Sequence, residues 1–457
     1  MRKAFVLISM AAVFIAGCGG SSSNSSTPPG PTFPVAGEVL FEIVHASQDA
    51  PPVNLSVGGN LVATEADFGD AAFVTTEDGE VTIVVEGIIP GGNADVITAT
   101  DTFADGQRVT VFAANDVANI GPIVLVDDQP EVAATDVRLR VVHAASNVTP
   151  IADMVDIYVT APADAISSTT PVTLMFGDFT IDAITVPAGD YRIRITPASS
   201  STVVYDSGTV PLAGGSDLVV AAIANVGPGA APVELIALTG AASLQLLDAE
   251  TPADVRVGHL AADVGPVDVL IDDVLSPVQG ASFGAITGYL PLAAGATNFK
   301  VTVAGDASAV AIDTLDEVTL DAGETYSVTA VGLDGDGSLT YDVAVDNPRR
   351  ITTESRVRIF HSSPAAGDVD IYVVGSGDPI DGLTPNFAAV PFGAETGYVP
   401  LAPGGYDVHV TEAGDQTMPV FPVVAVTLDA GGIYTAIAVD AAGGGEPVGL
   451  VVADDFL

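Results

Sequence analysis

Four copies of one short pattern run through this 457-residue chain and constrain its fold more than any other feature. Each copy opens on a strand-like run that reaches a histidine: Phe41-Glu42-Ile43-Val44-His45, Leu139-Arg140-Val141-Val142-His143, Val255-Arg256-Val257-Gly258-His259 and Val357-Arg358-Ile359-Phe360-His361. A second run follows after a short loop: Val53-Asn54-Leu55, Val155-Asp156-Ile157, Val267-Asp268-Val269 and Val369-Asp370-Ile371. Phe-Gly comes next, at Phe68-Gly69, Phe176-Gly177, Phe283-Gly284 and Phe392-Gly393. Late in the copies lies a glycine turn, as in Leu320-Asp321-Ala322-Gly323 and Leu428-Asp429-Ala430-Gly431, and then Tyr326 or Tyr434. The histidines stand 98, 116 and 102 residues apart, a domain-sized period rather than a solenoid one. About seven alternating strands per hundred residues, punctuated by Gly, Pro and Asp, predict an all-β chain of four tandem antiparallel β-sandwich units of Ig-like or Greek-key type.

The order His-Ala/Ser, Val-Asp-Val/Ile, Phe-Gly, Gly-Tyr, Leu-x-x-Gly resembles the bacterial domain-of-unknown-function family 4397. Repeats 3 and 4 carry it best, with Thr287-Gly288-Tyr289 and Thr396-Gly397-Tyr398. Repeat 1 departs most, with Asn54 for the aspartate. The resemblance implies an exported protein with tandem β-sandwich domains. It transfers no catalytic residue, because the family carries no established activity. Composition shifts place the units at 37–130, 131–250, 251–348 and 349–457. The runs Asp127-Asp128-Gln129-Pro130, Asp248-Ala249-Glu250-Thr251-Pro252 and Asp346-Asn347-Pro348-Arg349-Arg350 read as hinges between them.

Alternation assigns faces. His45, His143, His259 and His361 share parity with the apolar residues of their strands and fall on the inward face, as structural groups bonded to the next loop's backbone. One histidine per unit, with no second ligand at metal spacing, argues against a metal centre. Parity also separates them from Asp156, Asp268 and Asp370, which point outward and so form no His-Asp dyad. Arg140, Arg256 and Arg358, three residues before their histidines, point outward too. They are expected to pair with Asp156, Asp268 and Asp370 across neighbouring strands on a solvent face. Repeat 1 has neither partner: Glu42 stands with Asn54. Arg194, His409, Tyr158 and Tyr372 read as outward by the same rule, the tyrosines as a weak platform for a sugar.

The sole cysteine, Cys18, closes a different kind of segment. Arg2 and Lys3 precede an uncharged run from Ala4 to Ile15, then Ala16-Gly17-Cys18. That is a secretory signal, too short to span a bilayer as a mature helix. Its tail Ile15-Ala16-Gly17-Cys18 resembles the bacterial lipobox, which implies a signal peptide at 1–17, acylation (palmitate) at Cys18 and a Gly/Ser/Pro tether over 18–36. The expected location is the cell envelope, and the outer membrane in a diderm, since Gly19 and Gly20 follow the cysteine. With the only cysteine used by the anchor, no disulfide forms in the mature chain.

The formal net charge is −45, and loss of Arg2 and Lys3 makes it −47. That field repels nucleic acid and excludes it as a partner. Leu333-Asp334-Gly335-Asp336-Gly337-Ser338 hints at a calcium loop, but Leu339 and Val345 stand where an EF-hand requires Gly and Glu. No cofactor is expected beyond weak calcium binding by such carboxylates. No hydrolase triad, paired acids, P-loop or dinucleotide motif is present. The expected function is a non-catalytic, lipid-anchored envelope protein. It would present an interaction surface, adhesive or cation-dependent, to a protein or glycan ligand. The alternative is an exported enzyme or polysaccharide-processing or polysaccharide-binding protein with a loop-built site.

Overall fold

The computed structural model describes residues 36–128, 131–146, 148, 154–312 and 318–454. The expected signal peptide (1–17), Cys18 and the expected tether up to residue 35 lie outside the described residues. No α-helix occurs among the described residues, so none is long and apolar enough to cross a membrane.

The first unit shows the plan: β1 (Glu38–Ala46), β2 (Val53–Val57), β3 (Asn60–Ala66), β4 (Ala71–Glu77), β5 (Gly79–Gly87), β6 (Ala94–Phe103), β7 (Gln107–Ala114) and β8 (Gly121–Asp128). They form two facing sheets, ordered β4-β1-β7-β8 and β3-β2-β5-β6. Phe41, Ile43, Leu55, Ile83, Val85 and Val109 fill the space between them. The other units repeat this plan with opening strands Asp136–His143, Ala253–Ala261 and Ser355–Ser362. The sandwich class stands, with one local difference: β1 runs parallel to β7, and each later opening strand likewise pairs in parallel with Asp217–Ala224, Thr325–Gly332 or Ile433–Val439.

The two sheets differ in burial. β2 and β5 alternate buried and half-exposed residues, the pattern of a sheet with one solvated face. β1 and β7 are buried almost throughout. Their outer face carries Val44, Ala46, Phe112 and Ala114, which pack on Val142, Ala144, Val219 and Ala221 of the second unit. The third and fourth units repeat this face-to-face packing through Leu260, Val331, Phe360, Ile437 and Val439.

The pairs are also joined to each other. Arg349, beside the fourth unit, donates Nη1–H to Ala50 O at 2.6 Å and pairs with Asp67 of the first. The Thr352 amide donates to Asp49 O at 3.0 Å. Between the second and third units the backbones nearly touch: a Cβ on Gly227 would lie 2.9 Å from Gly323 O, so only glycine fits there. The four units thus close into a ring. The expected hinges are corrected on this point: Asp127, Asp346 and Arg349 are buried or partly buried clamps between units.

Candidate functional site

Three of the four histidines pin the crossover from one sheet to the other. His45 is wholly buried, and its Nε2 lies 3.0 Å from Pro51 O, six residues on in the β1–β2 connection. His259 and His361 repeat this with Gly265 O at 3.1 Å and Gly367 O at 2.6 Å. His143 is equally buried, and neither ring nitrogen has a partner among the described residues. The Phe-Gly motif grips the same strand end. Gly69, Gly177, Gly284 and Gly393 donate their amides to the carbonyls of His45, His143, His259 and His361. All four glycines have φ between 80° and 86°, the left-handed region that other residues enter at a cost. Burial drives the pKa of His45 and of His143 down to about 4, so both rings are neutral at physiological pH.

The aspartates do not meet the arginines. The opening strand and the strand carrying Asp156, Asp268 or Asp370 belong to opposite sheets, so Arg140, Arg256 and Arg358 lie on the far side of the sandwich. The expected cross-strand pairs Arg140–Asp156, Arg256–Asp268 and Arg358–Asp370 are therefore wrong: the chain crosses between sheets where a hairpin was assumed. Each aspartate instead staples its flanking strands. Asp268 accepts from the amides of Gly280 at 2.7 Å and Gly305 at 2.8 Å. Asp370 accepts from Ala389 at 2.7 Å and Gly414 at 2.8 Å, and Asp156 from Thr173 Oγ1 and the Ser199 amide. The backbone donors all have φ between 49° and 80°, so the carboxylate satisfies amides that kinked backbone turns out of the ladder. Asn54 does the same for Glu65 in the first unit, which explains why an amide suffices there.

The arginines face a neighbouring unit, not solvent. Arg140 and Arg138 reach Asp127 of the first unit at 2.8 and 2.6 Å, and Arg138 also grips Asp217. In the first unit the charges are exchanged: Glu42 is wholly buried and held bidentately by Arg108, at 2.9 and 2.8 Å. Arg108 then donates to the carbonyls of Asp217 and Leu238 in the second unit, both at 3.0 Å. Between the third and fourth units, Asp346 accepts from Tyr289 OH at 2.6 Å, Ser327 Oγ at 2.5 Å and Arg358 Nη2. Arg256 Nε donates to Ser327 Oγ at 2.6 Å. The Gly-Tyr motifs find their reason here: Tyr289 lies 5.2 Å from the Arg256 guanidinium, and Tyr398 lies 4.5 Å from that of Arg358. Sequence reading missed Asp346, Arg108 and both tyrosine contacts. The available signal was Val44, Val142 and Phe360, apolar residues of outward parity beside the histidines, which require that face to be covered.

At the meeting of the four units lies a cavity of about 280 Å³, lined by Phe68, Asn225, Glu234, Gln245, Glu324, Asp346 and Tyr398 among others. Every unit contributes to it. Glu234 is 5% exposed and accepts a hydrogen bond from Gln245 Nε2 at 2.7 Å. Burial pushes its pKa up to about 7. Burial, with Asp321 nearby, also raises that of Glu324. The cavity therefore gains negative charge as pH rises through neutrality, which suits a cationic or hydrogen-bonding guest. Because the folded pKa of Glu234 exceeds its unfolded value, its contribution to stability is complete below pH 4.5 and is lost as pH rises through about 7. Glu234→Gln should thus be more stable than the wild type at pH 8, by at most about 3 kcal/mol, and little changed at pH 4.5. Urea unfolding at the two pH values checks this; equal stabilities at pH 8 contradict it.

Other flagged residues are placed differently from their sequence reading. Tyr158 and Tyr372 are buried, at 9% and 2% exposure, with Gln416 Nε2 donating to Tyr372 OH, so they form no sugar platform. Arg194 is buried too and donates to Thr160 Oγ1 and Asp164 O, while His409 is half-buried. In the acidic turn, Asp336 accepts from the Ser338 amide and Asp263 from those of Asp334 and Gly335. Among the described residues no group of three or more His, Cys, Asp or Glu side chains is placed to hold a metal ion.

This histidine, Phe-Gly and aspartate framework is matched by a known family. The family model for a domain of unknown function (DUF4397) matches residues 40–158 and 253–372. The chain belongs to the DUF4397 family. Each DUF4397 match begins in an opening strand and ends at Tyr158 or Tyr372, in the second strand of the following unit. No curated protein matches the chain. Among solved structures, the Bacillus anthracis TIE protein is similar at 10% identity, with 88% of this chain and 68% of that chain covered and a TM-score of 0.16. A second is CBMbc (family CBM26) of Eubacterium rectale Amy13K in complex with maltoheptaose. It matches at 8% identity, covering 40% of this chain and 91% of that one, with a TM-score of 0.14. At these TM-scores neither likeness informs what the DUF4397 units bind.

Proposed function

We propose that this DUF4397 protein is a non-catalytic, lipid-anchored cell-envelope protein whose four-unit body presents an acidic interaction surface to a protein or glycan ligand. The observation that carries this reading is Cys18, the sole cysteine, closing Ile15-Ala16-Gly17-Cys18 after a basic start and an apolar run. The body supports it. The Arg and Asp residues of the repeated pattern, with His45, His259 and His361, are engaged in holding loops, strands and units together, so the repetition serves a scaffold. The acidic balance favours a partner carrying cationic groups, or one bridged by cations.

In this reading, acylation at Cys18 holds the chain at a membrane, and the segment 19–36 spaces the ring from the headgroups. Metabolic labelling with an alkyne fatty acid should mark the wild type in the membrane fraction. Cys18→Ala should lose both the label and the membrane association. A wild type that takes up no label, or a variant that stays membrane-bound and labelled, would refute the anchor. Turnover of an ester or glycan panel by the purified body would refute the non-catalytic part.

A further inference from the structure

The fourth unit contains an apolar cavity of about 240 Å³ between its two sheets. Its walls include Ile359, Ile371, Val410, Phe421 and Leu450, and His361 stands at its edge with Nε2 tied to Gly367 O. The cavity has a clear origin in the repeat. Three inward positions recur by register in every unit. The residue four before the histidine is Phe41, Leu139, Val255 and Val357 in turn. The residue paired with Val57, Val159, Ile271 and Val373 is Ile83, Ile193, Phe299 and Val408. The residue facing Gly79, Gly189, Gly295 and Gly404 is Phe103, Leu212, Leu320 and Leu428.

The first three units carry larger side chains in this layer, and the second leaves a space of only about 20 Å³ beside Leu139 and Ile193. Phe41 and Phe103 meet edge to face at 5.2 Å in the first. Tyr205 is wholly buried in the core of the second, and Phe299 is wholly buried in the third. The fourth unit has Val357, Val408 and Leu428, the smallest set of the four, and all three line the cavity. Val357 and Val408 are only half-buried although they point between the sheets, where Phe41 and Phe299 are completely covered. The change from Phe299 to Val408 is notable because these two repeats are the most alike in motif. Native interiors are close-packed, so a space of this size left in one unit of four is a specific feature. An apolar cavity of about 150 Å³ stays dry and binds benzene; this one admits a larger guest.

We propose that the fourth unit binds a hydrocarbon group between its sheets, in the space that aromatic side chains occupy in the first and third units. Apolar contact supplies the attraction, and the tied imidazole makes no further polar demand. The same chemistry could come from a free ring compound or from the alkyl chain of a lipid. Isothermal titration of the full chain with naphthalene and with octan-1-ol separates the two sources. Saturable binding of naphthalene alone assigns a ring, and saturable binding of octan-1-ol assigns a chain. Val408→Phe, which installs the third unit's residue, should weaken binding by roughly tenfold or more and raise the melting temperature. If that variant does not fold, Val357→Leu provides the same test with a smaller filler. A wild type that binds neither probe, or a folded filled variant that binds as well as the wild type, overturns the proposal.

Discussion

Asp346→Ala is expected to lower stability by about 3–5 kcal/mol, the usual cost of leaving a buried charge uncompensated. Asp346 is wholly shielded on its side chain, and so, nearly, are the two arginines it serves: Arg358 at 1% exposure and Arg256 at 5%. Without the carboxylate, Arg358 loses its closest ionic partner and retains the weaker contacts to Val345 O, Thr435 Oγ1 and, at 3.8 Å, Glu395. Tyr289 and Ser327 lose this acceptor at the same time. Since Asp346 belongs to the third unit and Arg358 to the fourth, the loss should uncouple the two units. Guanidinium unfolding of the variant should show either a lower single midpoint or two separated transitions. A loss under about 1 kcal/mol with one transition would show that the apolar contacts of Leu260, Val331, Phe360 and Ile437 suffice to hold the units together.

The second large effect is asymmetric. Arg108→Ala should cost about 3–5 kcal/mol, because it strands Glu42, a carboxylate with no exposure, on Thr110 Oγ1 and the Gly240 amide alone. Glu42→Ala should cost less. Arg108 would still donate to Asp217 O and Leu238 O and sit 3.8 Å from the Asp217 carboxylate. Replacing both together, as Glu42→Leu with Arg108→Met, should recover most of the loss, since well-packed apolar residues commonly equal a buried ion pair. A double-mutant cycle followed by urea unfolding reads the coupling directly. Equal losses for the two single variants, or a double variant worse than Arg108→Ala, would contradict this account of the interface.

The histidines and aspartates show how far alternation carries. Parity placed His45, His143, His259 and His361 inside and separated them from the aspartates, and the structure has them so. Parity could not say which sheet comes next. The segment between His45 and Val53 is short enough for a hairpin, yet it crosses the sandwich, and that sends Arg140 and Asp156 to opposite outer faces. Nothing local distinguishes the two connections. The choice rests on β1 pairing in parallel with β7, more than sixty residues away. The central cavity was equally hidden, since Phe68, Glu234, Asp346 and Tyr398 come from four different units and share no motif.

What the chain's own residues determined is the four-fold repetition, the β-sandwich class and the inward seat of each imidazole, because a two-residue period and a glycine at positive φ are local properties. What only the tertiary structure decided is the use of the outer faces. An arginine flanked by valines reads the same whether its face meets water or another unit. Here Val44, Ala46, Leu260 and Phe360 bury those faces against neighbours, and in a water-poor interface every guanidinium must find a carboxylate, a carbonyl or an aromatic ring.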